Sequence, residues 1–317
     1  MTREVRLPSY RELPAGPSGG RTAWGLFGAE DNLGMANLLT PERTAAAAKL
    51  ATSGRVFPLN APLGAFDPPL ASSRASYSHR RVKIERPGVI GLDDVLDDFN
   101  PQLSSQWDSL AHASYDGEYF YNGVHDDEVA GGRNTIDHLA RRGIAARGVL
   151  VDLSAQGSID FTTPTSFSVV DLEEALGSQG VEAREGDLVM FYTGFAEYFL
   201  GMDPDQRSDF VKELCAPGLE HTEAIAEYLW DLHPFALVSD TFAVEVWPPD
   251  RSPEAAPFGF LHQTLLGAFG IWLGELWWLA DLAADCRADG VYEFLVTSAP
   301  LHLPAGVSST ANALAIK

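Results

Sequence analysis

Asp108 and His112 stand four residues apart in the segment Gln106-Trp107-Asp108-Ser109-Leu110-Ala111-His112. On one helical turn that spacing puts a carboxylate and an imidazole on the same face. Together they suit a divalent ion of hard to borderline character. Such pairs also arise by chance, as hydrogen-bonded surface pairs. A second acid, Glu275, sits between Ile271-Trp272-Leu273 and Leu276-Trp277-Trp278. Burying a lone carboxylate in such a setting costs several kcal/mol, so it must be paired or bind a cation. The bland reading makes it a surface residue at a helix start. His262 opens the same apolar run.

The other histidines suggest less. His79 lies in the basic run SHRRVK, His138 beside Arg141 and Arg142, and His233 before Pro234, all settings for solvated side chains. His125, His221 and His302 are less easily dismissed. The GxGxxG, GxxxxGK[ST] and GxSxG patterns are absent, which leaves dinucleotide, ATP and serine-hydrolase chemistry without support. Cys215 and Cys286 lie far apart and outside any CxxC pair. A disulfide scaffold and a thiolate zinc site are therefore excluded, and buried free thiols are the expectation.

The chain that must position these residues has 317 of them, 45% hydrophobic and 21% charged, enough for a sizeable core. Its 44 acidic and 22 basic residues give a net charge of -22. That field opposes nucleic acid and anionic lipid and favours solubility. No apolar leader opens the sequence, and no stretch reaches the roughly 18 apolar residues of a membrane helix. A cytoplasmic location is expected. Residues 1–23, rich in Pro, Gly and charge, read as an extended projecting arm ahead of a single domain spanning 24–317.

Thr40-Pro41-Glu42 starts a helix, with a cap, a proline at the first position and an acid in the first turn. Gly54 ends it. Residues 55–59, 148–153, 187–192, 235–240 and 292–297 read as strands, and 170–176 and 222–231 as helices, with Asp171 a candidate cap. Residues 60–100 read as a loop-rich region, functional or a partner contact. Alternating strands and helices give an α/β class with a mixed sheet.

Several blocks, in order, resemble the cyclase family that includes bacterial kynurenine formamidase and isatin hydrolase. They are Trp24-Gly25, DNLGMANLLTPE (31–42), SQWDSLAHASYDGEYFYNG (105–123), RGVLVDL (147–153), SDTFAVEV (239–246), His262 to Glu275, and APLHLPAG (299–306). The family signature HxGTHxDxxxH falls on residues 102–112. Asp108 and His112 match it. Gln102 and Gln106 stand where the family has its first two histidines, and Ser104 and Ser105 replace Gly-Thr.

The resemblance implies an α/β swivelling β/β/α-type fold with a small β-barrel-like core, assembled as a homodimer or homotetramer. It also implies one divalent metal, manganese or zinc, on Asp108, His262 and Glu275. His112 is implied as general acid/base or as a further ligand. Gln106 and Gln102 would orient substrate or water, or complete a weak coordination shell. The activity implied is hydrolysis of a small-molecule substrate, a cyclic amide, lactone or N-acyl aromatic compound, which is the partner the resemblance leads one to expect. A non-hydrolytic cyclase or dehydratase, and a metal-free binding protein, are the alternatives. Phe27, Trp107, Tyr115, Tyr119 and Tyr121 supply a flat apolar pocket lining, although core packing is the commoner use of any one of them.

Overall fold

The computed structural model describes residues 6–317. Its strands are β1 (Val56–Pro58), β2 (Ser78–Arg86), β3 (Val89–Asp97), β4 (Gln106–Asp108), β5 (Ile144–Asp152), β6 (Ser166–Phe167), β7 (Leu188–Tyr192), β8 (Gly218–Leu219), β9 (Ala236–Ser239), β10 (Trp272–Glu275), β11 (Glu293–Ser298), β12 (Ser308–Thr310) and β13 (Ala313–Ile316). The helices are α1 (Pro41–Ala47), α2 (Asp126–Ala130), α3 (Ile136–Arg142), α4 (Val169–Gln179), α5 (Phe195–Gly201), α6 (Pro204–Phe210), α7 (Glu223–Asp231) and α8 (Ala280–Asp289).

Nine strands form one mixed sheet in the order β1-β13-β11-β5-β7-β9-β10-β4-β12. Neighbours from β5 to β10 run parallel. The outer pairs are antiparallel. The sheet curls into a half-barrel, so the α/β class and barrel-like core expected from the resemblance are present. β7 and β9 are buried along their whole length. Strands covered on both faces read as continuous apolar runs, which is why LVMFY and ALVS stand out in the sequence.

Helix starts follow local chemistry. Thr40 caps α1, its hydroxyl accepting from Arg43 N at 3.3 Å. α1 ends at Ala47 and a single tighter turn, Ala48–Leu50, continues it, so the helix is shorter than the run to Gly54 suggests. In α4 the cap is Ser168. Asp171 sits three residues on and accepts from Ser168 N at 2.7 Å, completing a capping box. Ser168→Ala is therefore expected to cost about 1 kcal/mol, read as a lower midpoint in urea unfolding.

Three sequence expectations change. Residues 60–100 contain a hairpin, β2 and β3 paired over nine residues each, rather than loop throughout. Glu275, whose bland reading is a surface residue at a helix start, is instead the buried last residue of β10, which follows a π-helical turn (Gln263–Ala268). The described part of the N-terminal segment lies against the body instead of projecting. Tyr10 and Leu13 are buried, Tyr10 N donates to Asp231 Oδ1 at 2.6 Å, and Trp230 Nε1 donates to Pro8 O at 2.9 Å. Among the described residues no helix is long and apolar enough to cross a membrane.

Candidate metal centre

β4 lies between β10 and β12 near one edge of the sheet. Successive side chains of a strand point to opposite faces, so Gln106 and Asp108 share one face and Trp107 takes the other. The antiparallel register with β10 sets Glu275 opposite Gln106 and Leu273 opposite Asp108. Gln106 Nε2 donates to Glu275 Oε2 at 2.7 Å across that pair. His262 enters from the chain just before β10, at the start of the π-helical turn. His112 arrives differently from the helical reading. After β4 the chain turns sharply, with His112 N donating to Ser109 O at 2.9 Å, so Asp108 and His112 converge through a strand end and a turn.

The ligand atoms of Asp108, His112 and His262 all lie within 4.8 Å of one another. Asp108 Oδ1 is 3.9 Å from His112 Nε2. Glu275 Oε1 is 2.8 Å from His262 Nε2, yet it is buried with no donor aligned on it. This close approach is ion-pair proximity rather than a formed hydrogen bond. An acceptor left open this way, facing an imidazole and beside a second buried carboxylate, fits a cation-binding site. Asp108, Glu275 and His262 are all at most 4% exposed, whereas 25% of the His112 side chain reaches solvent. The cluster is thus open on the His112 side.

Sequence reasoning missed three residues that act on this cluster. Glu245, fully buried, accepts from His262 Nδ1 at 2.8 and 3.0 Å through its two oxygens. A carboxylate behind an imidazole fixes the ring so that Nε2 faces the cluster, a usual support for a metal ligand. Phe260 stacks flat on His262, centroids 4.7 Å apart and planes 7° from parallel. Arg74 donates to Gln102 O at 2.7 Å and approaches Gln106 Oε1 at 3.4 Å, which brings a cation to the glutamine side. Glu245 carried a legible signal, because it sits between Val244 and Val246 as Glu275 sits among tryptophans.

The electrostatics follow from burial against neighbouring charge. Burial works against protonation of His262, but Glu245 and Glu275 outweigh it and hold the ring well above its ordinary range. Burial and then the Asp108 charge push Glu275 up to about 7, against the pull of His262. Burial alone would raise Glu245, yet His262 keeps it below the usual carboxylate range. Burial lowers His112, Asp108 opposes the fall, and His262 and Arg74 add to it. The neutral imidazole of His112 is therefore the form favoured near pH 7.

Gln102 Nε2 donates to Asp108 Oδ1 at 2.6 Å and lies 3.3 Å from His112 Nδ1. Gln106 Nε2 approaches Asp108 Oδ2 at 3.2 Å. Both glutamines from the signature window thus face the cluster. The expected aromatic lining is elsewhere. Trp107 is buried on the other face of β4, donating to Ser298 Oγ at 2.9 Å. Tyr115 donates to Gly19 O and packs on Trp24, and Tyr119 also lies against Trp24. Tyr121 is buried with its hydroxyl 3.3 Å from Asp31 Oδ2, and Phe27 is half-buried against the main core. Strand alternation and loop packing, rather than nearness in sequence, decide which aromatic reaches the site. A surface groove of about 780 Å³, lined by Glu197, Tyr198, Phe210 and Cys215 among others, contains none of the cluster residues.

Comparison with known proteins agrees with this architecture. The family described as "Putative cyclase" matches residues 58–246. The chain is also similar to a solved structure of a novel cyclase, at 31% identity and a TM-score of 0.81, over 93% of this chain and 99% of that one. This chain belongs to the cyclase family. Isatin hydrolase A from Ralstonia solanacearum shares the fold at 18% identity and a TM-score of 0.57, covering 87% of this chain and 97% of its own. Isatin hydrolase A from Labrenzia aggregata, bound to benzyl benzoate, does so at 14% identity and 0.56, over 86% and 97%. No curated protein matches the chain.

Glu245→Gln tests the placement of His262. It removes the charge behind the ring while keeping its size, and is expected to weaken manganese or zinc binding about 10- to 100-fold in a calorimetric titration. Unchanged affinity would mean that His262 does not hold the ion.

Proposed function

We propose that this protein is a metal-dependent hydrolase of a small cyclic amide, lactone or N-acyl aromatic compound. The observation that carries the reading is the cluster of Asp108, His112 and His262, whose ligand atoms lie within 4.8 Å of one another, with Glu275 2.8 Å from His262 Nε2 and Glu245 behind the ring. Asp108, His262 and Glu275 would hold one divalent ion, manganese or zinc, with His112 in reach as a further ligand or as acid/base. When bound, such an ion would supply polarisation of a carbonyl and acidification of water. The remaining work belongs to the chain. His112, partly exposed and neutral, accepts a proton from water and returns it to the leaving group. Gln102 and Gln106 hold the Asp108 carboxylate in a fixed orientation. Phe260 shields one face of His262 from water.

Metal analysis of the purified protein, followed by assay on isatin-like lactams, lactones and N-formyl aromatics, tests this. About one ion per chain and turnover lost with chelator are expected. Less than about a tenth of an ion, with no gain on adding manganese or zinc, would sink the mechanism. Turnover in ¹⁸O-labelled water separates hydrolysis from a cyclase or dehydratase reaction, because only hydrolysis leaves solvent oxygen in the product.

One observation favours a metal-free binding protein instead. As oriented, the amide nitrogens of Gln102 and Gln106 occupy the Asp108 oxygens that a metal would use. Rotating either amide by half a turn would present oxygen in place of nitrogen. The same metal analysis decides between the two readings.

A further inference from the structure

From Phe260, stacked on His262, aromatic contacts continue away from the candidate centre. Phe260 lies 6.4 Å from Trp247, and Trp247 lies 5.0 Å from Phe242, both edge to face. The Arg74 guanidinium stands over Phe242, 5.9 Å from the ring centroid. Arg74 leads back to the cluster, because it donates to Gln102 O at 2.7 Å and Gln102 Nε2 donates to Asp108 Oδ1 at 2.6 Å. These contacts form an arc that leaves the centre at His262 and rejoins it at Asp108. Trp247 and Phe260 are only half-buried, so part of each ring faces open space. Phe242 and Trp247 also line a groove of about 460 Å³ with Leu70 and Leu214, room enough for a small organic molecule.

Arg74 sets the charge of what fits there. It is half-buried, and its hydrogen bonds among the described residues go to neutral oxygens, Gln102 O and Gln106 Oε1. Both are made by Nη1, which leaves the rest of the guanidinium fork without a protein acceptor among those residues. A fork held flat on an aromatic ring is ready to take a carboxylate through two parallel hydrogen bonds. A phosphate dianion is the poorer fit, since the chain carries a net charge of -22 and Asp108 and Glu275 stand one amide group away, that of Gln106. The same short separation lets one substituted ring reach both Arg74 and an ion at the centre. Arg251 lies over Phe260, 5.6 Å from its centroid, but it is exposed and its charge is screened by water.

We propose that Phe260, Trp247 and Phe242 form the substrate wall and that Arg74 binds a carboxylate on the substrate, so that the compound turned over is a ring-bearing acid with its reactive carbonyl at the centre. This rests on the reading of the centre as the hydrolytic site. Arg74, Trp247 and Phe260 all fall outside the sequence blocks that resemble the cyclase family, so the preference is drawn from this chain's own residues.

The test is calorimetric titration of the full chain, loaded with manganese or zinc, with acetophenone, 3-acetylbenzoate and 4-acetylbenzoate. Their ketone carbonyl cannot be hydrolysed, so affinity is read apart from turnover. The better of the two acids is expected to bind wild type at least about 10-fold more tightly than acetophenone, the size of a hydrogen bond between charged groups. Arg74→Gln is expected to bring that ratio to about one while metal and acetophenone still bind, and Arg74→Lys to keep part of it, because the charge remains and the fork is lost. Trp247→Leu is expected to weaken all three ligands about 2- to 10-fold and to keep the ratio, as loss of one aromatic contact should. Arg251→Gln is expected to leave the ratio as in wild type. A wild type without the preference would overturn the proposal. So would a preference that survives in Arg74→Gln, which would put the carboxylate on the ion, or one lost in Arg251→Gln, which would put it at the rim. Loss of metal or of acetophenone affinity in Arg74→Gln would make Arg74 a prop for the centre, and unchanged affinities in Trp247→Leu would remove the wall. Metal content is measured on the same samples. A chain that binds no ion yet prefers the acids through Arg74 sinks the hydrolase reading and keeps this subsite, whereas an active metal enzyme without the preference does the reverse.

Discussion

Asp108→Ala is expected to bring bound metal from about one ion per chain to below about a tenth, and to cut turnover at least about 10³-fold. Asp108 is the residue on which the cluster's contacts meet. It is fully buried, within ligand distance of both imidazoles, and held by both glutamine amides. Its removal leaves His262 and Glu275 close together without the second carboxylate that balances an ion. A loss of 10³ in rate corresponds to about 4 kcal/mol of transition-state stabilisation, a reasonable size for removing a central metal ligand. Fold is a separate readout, since β4 pairs with β10 and β12 through its backbone. Asp108→Asn, which keeps the shape and most hydrogen bonds, should lose metal almost as completely while melting close to wild type. Retained metal in Asp108→Ala would mean the ion sits elsewhere.

The pH dependence has a definite sign. Metal competes with protons for its ligands, and Glu275 titrates at about 7 while His262 is held above its ordinary range. Lowering pH through 7 protonates Glu275, while His262, held above its ordinary range, already carries a proton that an ion must displace, so metal uptake must weaken as pH falls and must release protons when it occurs. Uptake that strengthened on acidification would contradict the ligand set.

How much of this could be read from the sequence depended on how many physical constraints acted on each segment. β7, β9 and the second half of β5 were legible because burial leaves little choice but apolar, β-branched or aromatic residues, and β11 because Phe294 and Val296 alternate toward the core. α1 was legible because Thr40 and Pro41 act locally. The hairpin was not, since its two exposed faces break any clean alternation and its charges read as loop. β10 was hidden because four strand residues inside a long apolar run look the same as a buried helix. At the centre, Asp108, His262 and Glu275 were legible as chemistry, but the helical turn expected to unite Asp108 with His112 does not exist. Sequence spacing paired Asp108 with His112, which the fold does bring together, but for the wrong geometric reason. Glu245 shows the converse, a readable buried acid whose partner could be named only once β9, the following segment and His262 were placed together.

Trp107→Ala is expected to destabilise the fold by about 3–5 kcal/mol, measured as a shift in the urea midpoint with little change in slope. The indole is fully buried, stands edge-on to Trp277 at 5.1 Å and lies 6.4 Å from Phe235. Ser298 keeps a second contact, its hydroxyl donating to Ala311 O at 2.5 Å, so most of the loss comes from the cavity rather than from a stranded polar group. Trp107→Phe should cost much less, since it keeps one aromatic ring in the space and gives up the N–H bond and the rest of the indole. Had Trp107 lined a substrate pocket, alanine would raise KM and leave the midpoint nearly unmoved. The packing account predicts a second consequence. Trp277 donates to Gln106 O at 2.9 Å, and the same three-residue strand that puts Trp107 in the core puts Gln106 and Asp108 in the centre. Loosening the core side of β4 must therefore displace the ligand side, and a shift on the order of 1 Å can cost about 10²-fold in rate. Below its melting temperature, Trp107→Ala should bind metal more weakly than Trp107→Phe, although neither side chain touches the ion.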